Sequence, residues 1–278
     1  MSSQIGVLLA SALDELRYEP IGKRIRAVLG GETVVDSTRT VLVWEPRRVV
    51  PAYAVPADDI GAALAPAVAD ASGPGQAGVR MPGLSSRPVL DPSVPFAAHT
   101  ANGQAMDVHA YGQDRPGAAF RLEDPDLHGY VILDFGAFDR WYEEDEPNVA
   151  HPRDPFHRID VLASSRPVRV ELGGQVLAES ARPMLLFETM LPVRYYLPRE
   201  DVRAELTPSD TRTYCAYKGQ ASYWSAVVGG QAAPDIAWSY QDPLHDAAPV
   251  RGCVAFFNER VDVFVDGERH ERPVTPWS

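Results

Sequence analysis

An all-β protein made of two tandem copies of one module is what this sequence predicts, on three observations. A block of the N-terminal half recurs in the C-terminal half. Short alternating apolar and polar stretches are separated by glycine pairs. Proline is abundant, 25 of 278 residues, and proline punctuates strands and turns more often than helix interiors. Short strands at regular spacing with turn signals point to a sandwich, roll or barrel.

The length fits two domains on a prior of roughly 150 residues each. Ile5, Leu8, Leu9, Ala12, Leu13 and Leu16 stand at helical spacing, so residues 1–23 form an extension with one short amphipathic helix. Asp14, Glu15 and the lack of a basic leader argue against a signal peptide. The first module spans 24–147 and the second 167–278, joined by a polar, proline-containing linker at 148–166. Residues 26–45 read RAVLGGETVVDSTRTVLVWE and residues 169–188 read RVELGGQVLAESARPMLLFE. They share a register without a gap, pairing Gly30 with Gly173, Arg39 with Arg182 and Glu45 with Glu188. YAVPADDI from Tyr53 then pairs with YYLPREDV from Tyr195, and GYVILDFGAFDRWYE from Gly129 pairs with GCVAFFNERVDVFVD from Gly252.

Within each copy, alternation on either side of a Gly-Gly pair predicts a hairpin whose turn needs positive φ. Met184 to Phe187 reads as a strand buried on both faces, and Cys253, in the apolar strand GCVAFF, as a buried small hydrophobe. The stretch between Asp59 and Gly103 is much longer than that between Asp201 and Gly219. The extra residues, about 62–95, are rich in Ala, Gly and Pro and read as a flexible surface insertion.

The net charge of −12 repels phosphate backbones and excludes nucleic acid as the main partner. No run of about 18 apolar residues exists, so no membrane span is expected. Two cysteines cannot frame a disulfide core or a four-cysteine zinc site, and free thiols in a reducing, cytoplasmic compartment are the expectation. Metal and phosphate-loop motifs are missing, so neither a metal nor a cofactor is expected. His151 and His157 fall in the linker and read as solvated.

The candidate site is confined to the second copy, after residue 180. Glu188, Arg194, Tyr196, Arg199, Asp201, Tyr214, Cys215, Lys218, Trp224, Trp238 and Tyr240 combine aromatic walls with a few charges, as a small-molecule pocket requires. The first copy is the control. Opposite Arg194 and Arg199 stand Ala52 and Ala57; opposite Tyr214, Cys215 and Lys218 stand Ala98, His99 and Asn102; opposite Trp224, Trp238 and Tyr240 stand Val108, Phe120 and Leu122. The apolar skeleton survives in both copies and the polar set in one, so the fold does not need the polar set. Each residue also has a plainer role. A lysine before Gly219 is by default a solvated turn residue, single tryptophans are by default core, and Glu188 and Asp201 have partners Glu45 and Asp59 that favour structural duty. A Cys215 thiol beside a lysine is a weak candidate nucleophile.

YYLPREDV, YCAYKGQASYW, AWSYQDP and the GCVAFFNERVD strand together resemble the bacterial domain-of-unknown-function family 427 (DUF427), over about residues 167–271. The first copy resembles it in the hairpin, the Tyr-x-x-Pro block and the closing strand. The resemblance implies a compact fold like the β-tent group, which includes methionine sulfoxide reductase B and the drug-binding domain of cereblon. Many members of that group clamp zinc with paired CxxC motifs, which this sequence lacks. The reductase cysteine lies on a late strand, as Cys253 does, but Tyr130 stands opposite Cys253 and no acid–base set surrounds it. The family's nucleotidyltransferase label finds no metal-holding carboxylates or triphosphate loop here. Three functions follow as expectations: a module binding a small polar or anionic ligand in the second copy, an enzyme using Lys218 or Cys215 there, or a scaffold.

Overall fold

The computed structural model describes residues 2, 4–67, 78–81, 87–275 and 277. The chain divides into two compact units, Met1–Asp154 and Pro155–Ser278. The first contains helix α1 (Ile5–Ser11) and strands β1 (Arg17–Pro20), β2 (Ile25–Leu29), β3 (Glu32–Ser37), β4 (Val41–Trp44), β5 (Ala52–Pro56), β6 (Ala63–Pro66), β7 (Gly103–Ala110), β8 (Gln113–Leu122), β9 (Tyr130–Leu133), β10 (Arg140–Glu143) and β11 (Glu146–Asn148). The second contains β12 (Ile159–Ala163), β13 (Val168–Leu172), β14 (Gln175–Ser180), β15 (Met184–Glu188), β16 (Arg194–Pro198), β17 (Leu206–Cys215), β18 (Gly219–Val228), β19 (Gln231–Tyr240), β20 (Cys253–Phe256), β21 (Asp262–Val265) and β22 (Glu268–Arg269).

Each unit has a seven-stranded and a four-stranded sheet. The large sheets run β1-β4-β5-β9-β8-β7-β6 and β12-β15-β16-β20-β19-β18-β17; the small ones run β11-β10-β2-β3 and β22-β21-β13-β14. Strand for strand the two orders are the same, so the repeated sequence blocks are repeated topology. Local detail repeats as well. The β2–β3 turn holds Gly30 and Gly31 at φ 64° and 84°, and the β13–β14 turn holds Gly173 and Gly174 at 58° and 79°. Two left-handed residues in a row make the turn whose twist matches antiparallel strands, and glycine adopts them without a Cβ clash. A register shift follows at Ala27/Val28 and again at Val170/Glu171.

In the second unit the two sheets pack face to face over Val168, Val170, Leu177, Leu197, Val254, Phe256 and Val263. On the large sheet, alternation then sends the neighbours of Leu197, Val254 and Phe256 to the outer face. There Leu186, Tyr196, Trp238, Tyr240, Cys253 and Ala255 form a second cluster with Ala247 and Val250. The first unit has the same two layers, with Val43, Ala54, Phe120, Leu122 and Ile132 outside.

Four expectations change. The helix stops at Ser11, whose hydroxyl bonds back to the Leu8 carbonyl; Ile5 and Leu8 are exposed while Leu13 is buried. The Leu9 side chain lies outside the described residues. The linker 148–166 contains β12, which pairs with β15 along its full length. Phe187 is 40% exposed, so β15 is not buried on both faces throughout. In the insertion, residues 68–77 and 82–86 lie outside the described residues, but β6 pairs with β7, and Met81, Val89, Leu90 and Val94 are buried. Arg48 donates to the carbonyls of Pro95 and Ala98 at 2.8 and 3.0 Å, so the described part is anchored rather than free. Among the described residues no helix is long and apolar enough to cross a membrane.

Candidate functional site

On the outer face of the second unit's large sheet the structure gathers a carboxylate, an ammonium and an imidazole. Glu188 ends β15, and Lys218 sits in the turn joining β17 to β18. Lys218 Nζ donates to both Glu188 oxygens at 2.6 Å. His157 Nε2 lies 3.0 Å from Glu188 Oε1, and its ring stacks on Tyr217 at 4.7 Å. Neither Lys218 nor His157 is the solvated residue expected of its position. The Lys218 side chain is only 10% exposed and the Glu188 side chain 8%, because the turn itself is buried at Ala216 and Tyr217. The cluster therefore reaches back before residue 180.

Burial would raise the Glu188 carboxyl, but Lys218 and His157 outweigh it and hold the group down to about 2. Burial would likewise lower Lys218, and Glu188 with Cys215 keeps it above its ordinary value. Lys218 is thus a fixed positive charge at neutral pH, not a free amine nucleophile. Cys215 is half-buried, and its Sγ accepts from the Tyr217 N–H at 3.5 Å. Beneath this group, Trp238 Nε1 donates to the Tyr196 hydroxyl at 3.0 Å, and Tyr240 lies 6.4 Å from Tyr196, ring to ring. Burial pushes both phenols up. Arg194 shares this face, with its guanidinium 5.5 Å from the Trp238 ring, but it is neutralised by Glu259 at 2.6 Å.

The remaining candidates lie elsewhere. Arg199 stacks on Trp224 at 5.1 Å, and Trp224 packs on the core between the sheets, donating to Ser239 Oγ at 2.9 Å. Asp201 stands 3.6 Å from Arg182, as Asp59 takes up Arg39 in the first unit, so this pair braces the fold in both copies. Tyr214 is exposed and accepts from Gln220 at 2.7 Å. Two hollows in the second unit, of about 270 and 280 Å³, are lined by other residues.

The equivalent carboxylate of the first unit is closed off differently. Glu45 Oε2 accepts main-chain N–H groups of Thr100 and Ala101 at 2.7 and 3.0 Å, and Oε1 meets His99 Nδ1 at 3.0 Å. The His99 ring lies flat on Phe120 at 3.7 Å. A histidine therefore meets the glutamate in both units, from the stretch between the insertion and β7 in one and from the inter-module segment in the other. Sequence reading missed His157, which no motif marks. It also missed Glu259, which stands opposite Gly136 when the two copies are paired and could have been noticed as a charge present in one copy only. Among the described residues no group of three His, Cys, Asp or Glu side chains stands close enough to hold a metal ion.

Fold and site together define a tandem β-sandwich protein whose second unit carries a buried Glu–Lys–His cluster on its outer sheet face. Residues 160–267 match the family model described as a domain of unknown function, DUF427, which also bears a nucleotidyltransferase label. The second unit of this chain belongs to the DUF427 family, and the first shares its strand order. No curated protein matches the chain.

Proposed function

We propose that the second unit binds a small polar or anionic ligand against Lys218 and His157, with Glu188 as the buried anchor. One observation carries the reading. In the first unit two fixed main-chain amides hold one oxygen of this carboxylate, with His99 and Arg48 at the other, whereas in the second Lys218 and His157 take the place of those amides. Main-chain donors seal a position, whereas an ammonium and an imidazole can turn toward a ligand while one keeps the carboxylate paired. A buried ion pair is an inefficient way to hold a fold together, and the first unit folds without the lysine. Buried ionisable groups held by specific charge partners are common where ligands bind.

The polar set offers less free charge than its composition promises, since Glu259 neutralises Arg194 and Glu188 offsets Lys218. The ligand is therefore one that exchanges hydrogen bonds with Lys218 and His157. The test is a thermal-shift panel of phosphate, sulfate, mono- and dicarboxylates and their amides. Wild-type protein should be raised in Tm by at least one of them, and Lys218→Met/Glu188→Gln should lose that rise while keeping its own cooperative melt. A ligand that stabilises both proteins equally places binding elsewhere. The enzyme reading is weakened by the protonated state of Lys218; Cys215 is its surviving candidate.

A further inference from the structure

The second unit holds a second buried ion pair that the shared fold does not require. Arg194 on β16 makes a two-pronged contact with Glu259, Nη1 to Oε2 at 2.8 Å and Nη2 to Oε1 at 2.6 Å. The two side chains are 7% and 0% exposed. At the matching positions the first unit has Ala52 and Gly136, with the strand order unchanged. Removing both charges from water carries a penalty that a neutral pair would avoid, so the pair calls for a reason other than the fold.

Part of what covers it comes from the chain beyond β22, where the described residues 270–275 and 277 belong to no strand. The Thr275 hydroxyl donates to Glu259 Oε1. The Trp277 ring lies 5.5 Å from the Arg194 guanidinium carbon, the same distance as the Trp238 ring. Thr275 is buried, yet Val274 and Trp277 are 60% and 47% exposed. A ring laid on a guanidinium beside a hydroxyl given to its carboxylate partner is a ligand-like pair of contacts.

We propose that Arg194, Glu259 and Trp238 form a binding site for a small aromatic alcohol, occupied in this state by the protein's own Thr275 and Trp277. The guanidinium takes the flat ring, the carboxylate accepts a hydrogen bond from the alcohol hydroxyl, and Trp238 backs the cation. Thr275 and Trp277 are then a cover that an external ligand displaces. The site does not depend on the Glu188–Lys218 reading, because none of its polar contacts uses those residues.

The experiment uses the full chain and calorimetric titration with two probes, tryptophanol and adenosine. Trp277→Ala/Thr275→Val should bind at least one probe about tenfold more tightly than wild type. Which probe binds separates an indole-like ring from a nucleoside. Adding Arg194→Met/Glu259→Gln, which leaves no lone buried charge, should abolish that binding. A synthetic peptide ERPVTPW, residues 271–277, should compete with the probe on the uncovered protein. Equal affinity in wild type and uncovered protein, or no affinity in either, overturns the proposal. Should the fourfold variant lose its cooperative melt, the peptide decides: probe binding that it does not compete overturns the proposal as well.

Discussion

Lys218 shows how far a residue's surroundings can reverse its default. A lysine before a glycine in a turn is normally solvated, but here the turn is buried and the ammonium lies 2.6 Å from a buried carboxylate. Removing one member of such a pair strands the other without water. Lys218→Met should therefore lower stability by about 3–5 kcal/mol, whereas Lys218→Met/Glu188→Gln should stay within about 1–2 kcal/mol of wild type; chemical denaturation of the three proteins measures both. The same pair sets a pH dependence. Glu188 falls from an ordinary 4.5 to about 2 in the folded chain. Its contribution is complete above the unfolded value and is lost as pH drops through the folded one, so it disappears between about pH 4.5 and 2. Denaturant melts should show a loss of about 2–4 kcal/mol over that window, much reduced in Lys218→Met/Glu188→Gln.

At the scale of an element, the β13–β14 hairpin repeats the β2–β3 hairpin down to its turn and its register shift. A Cβ at Gly174 would meet nothing within 4 Å, so any penalty comes from the backbone, held at φ 79°. Gly174→Ala should lower the stability of the second unit by about 1–2 kcal/mol. A thermal melt equal to wild type would mean that the turn relaxes to another type. The described part of the insertion is the element that composition misjudged. Its alanines, glycines and prolines suggest a loop with nothing to bury, yet a few apolar side chains and Arg48 tie it down. The chain just beyond it brings His99 to Glu45.

For the whole molecule, duplication is the organising fact. Each unit has its own inter-sheet core, and the boundary falls between Asp154 and Pro155. Residues 155–278 expressed alone should fold and give one cooperative calorimetric transition. A shorter fragment begun at residue 167 should melt lower, because it lacks β12, which pairs with β15, and His157, which meets Glu188. Equal melting of the two fragments would show that these contacts add little.

Read alone, the sequence determined the all-β class, the doubling, the glycine hairpins and the family of the second unit. All of these rest on local chemistry: side-chain alternation, positive φ and repeated blocks on one chain. It also singled out Glu188, Tyr196, Trp238 and Tyr240, which alternation places on one sheet face, and Lys218, which a buried turn brings to Glu188. Only the tertiary structure decided which charges meet. It put Glu259 on Arg194, His157 on Glu188, and Arg199 with Trp224 on the opposite side of the sheet. Such pairings depend on how distant strands cross and on what lies over them, and the order of residues along a chain does not encode that distance.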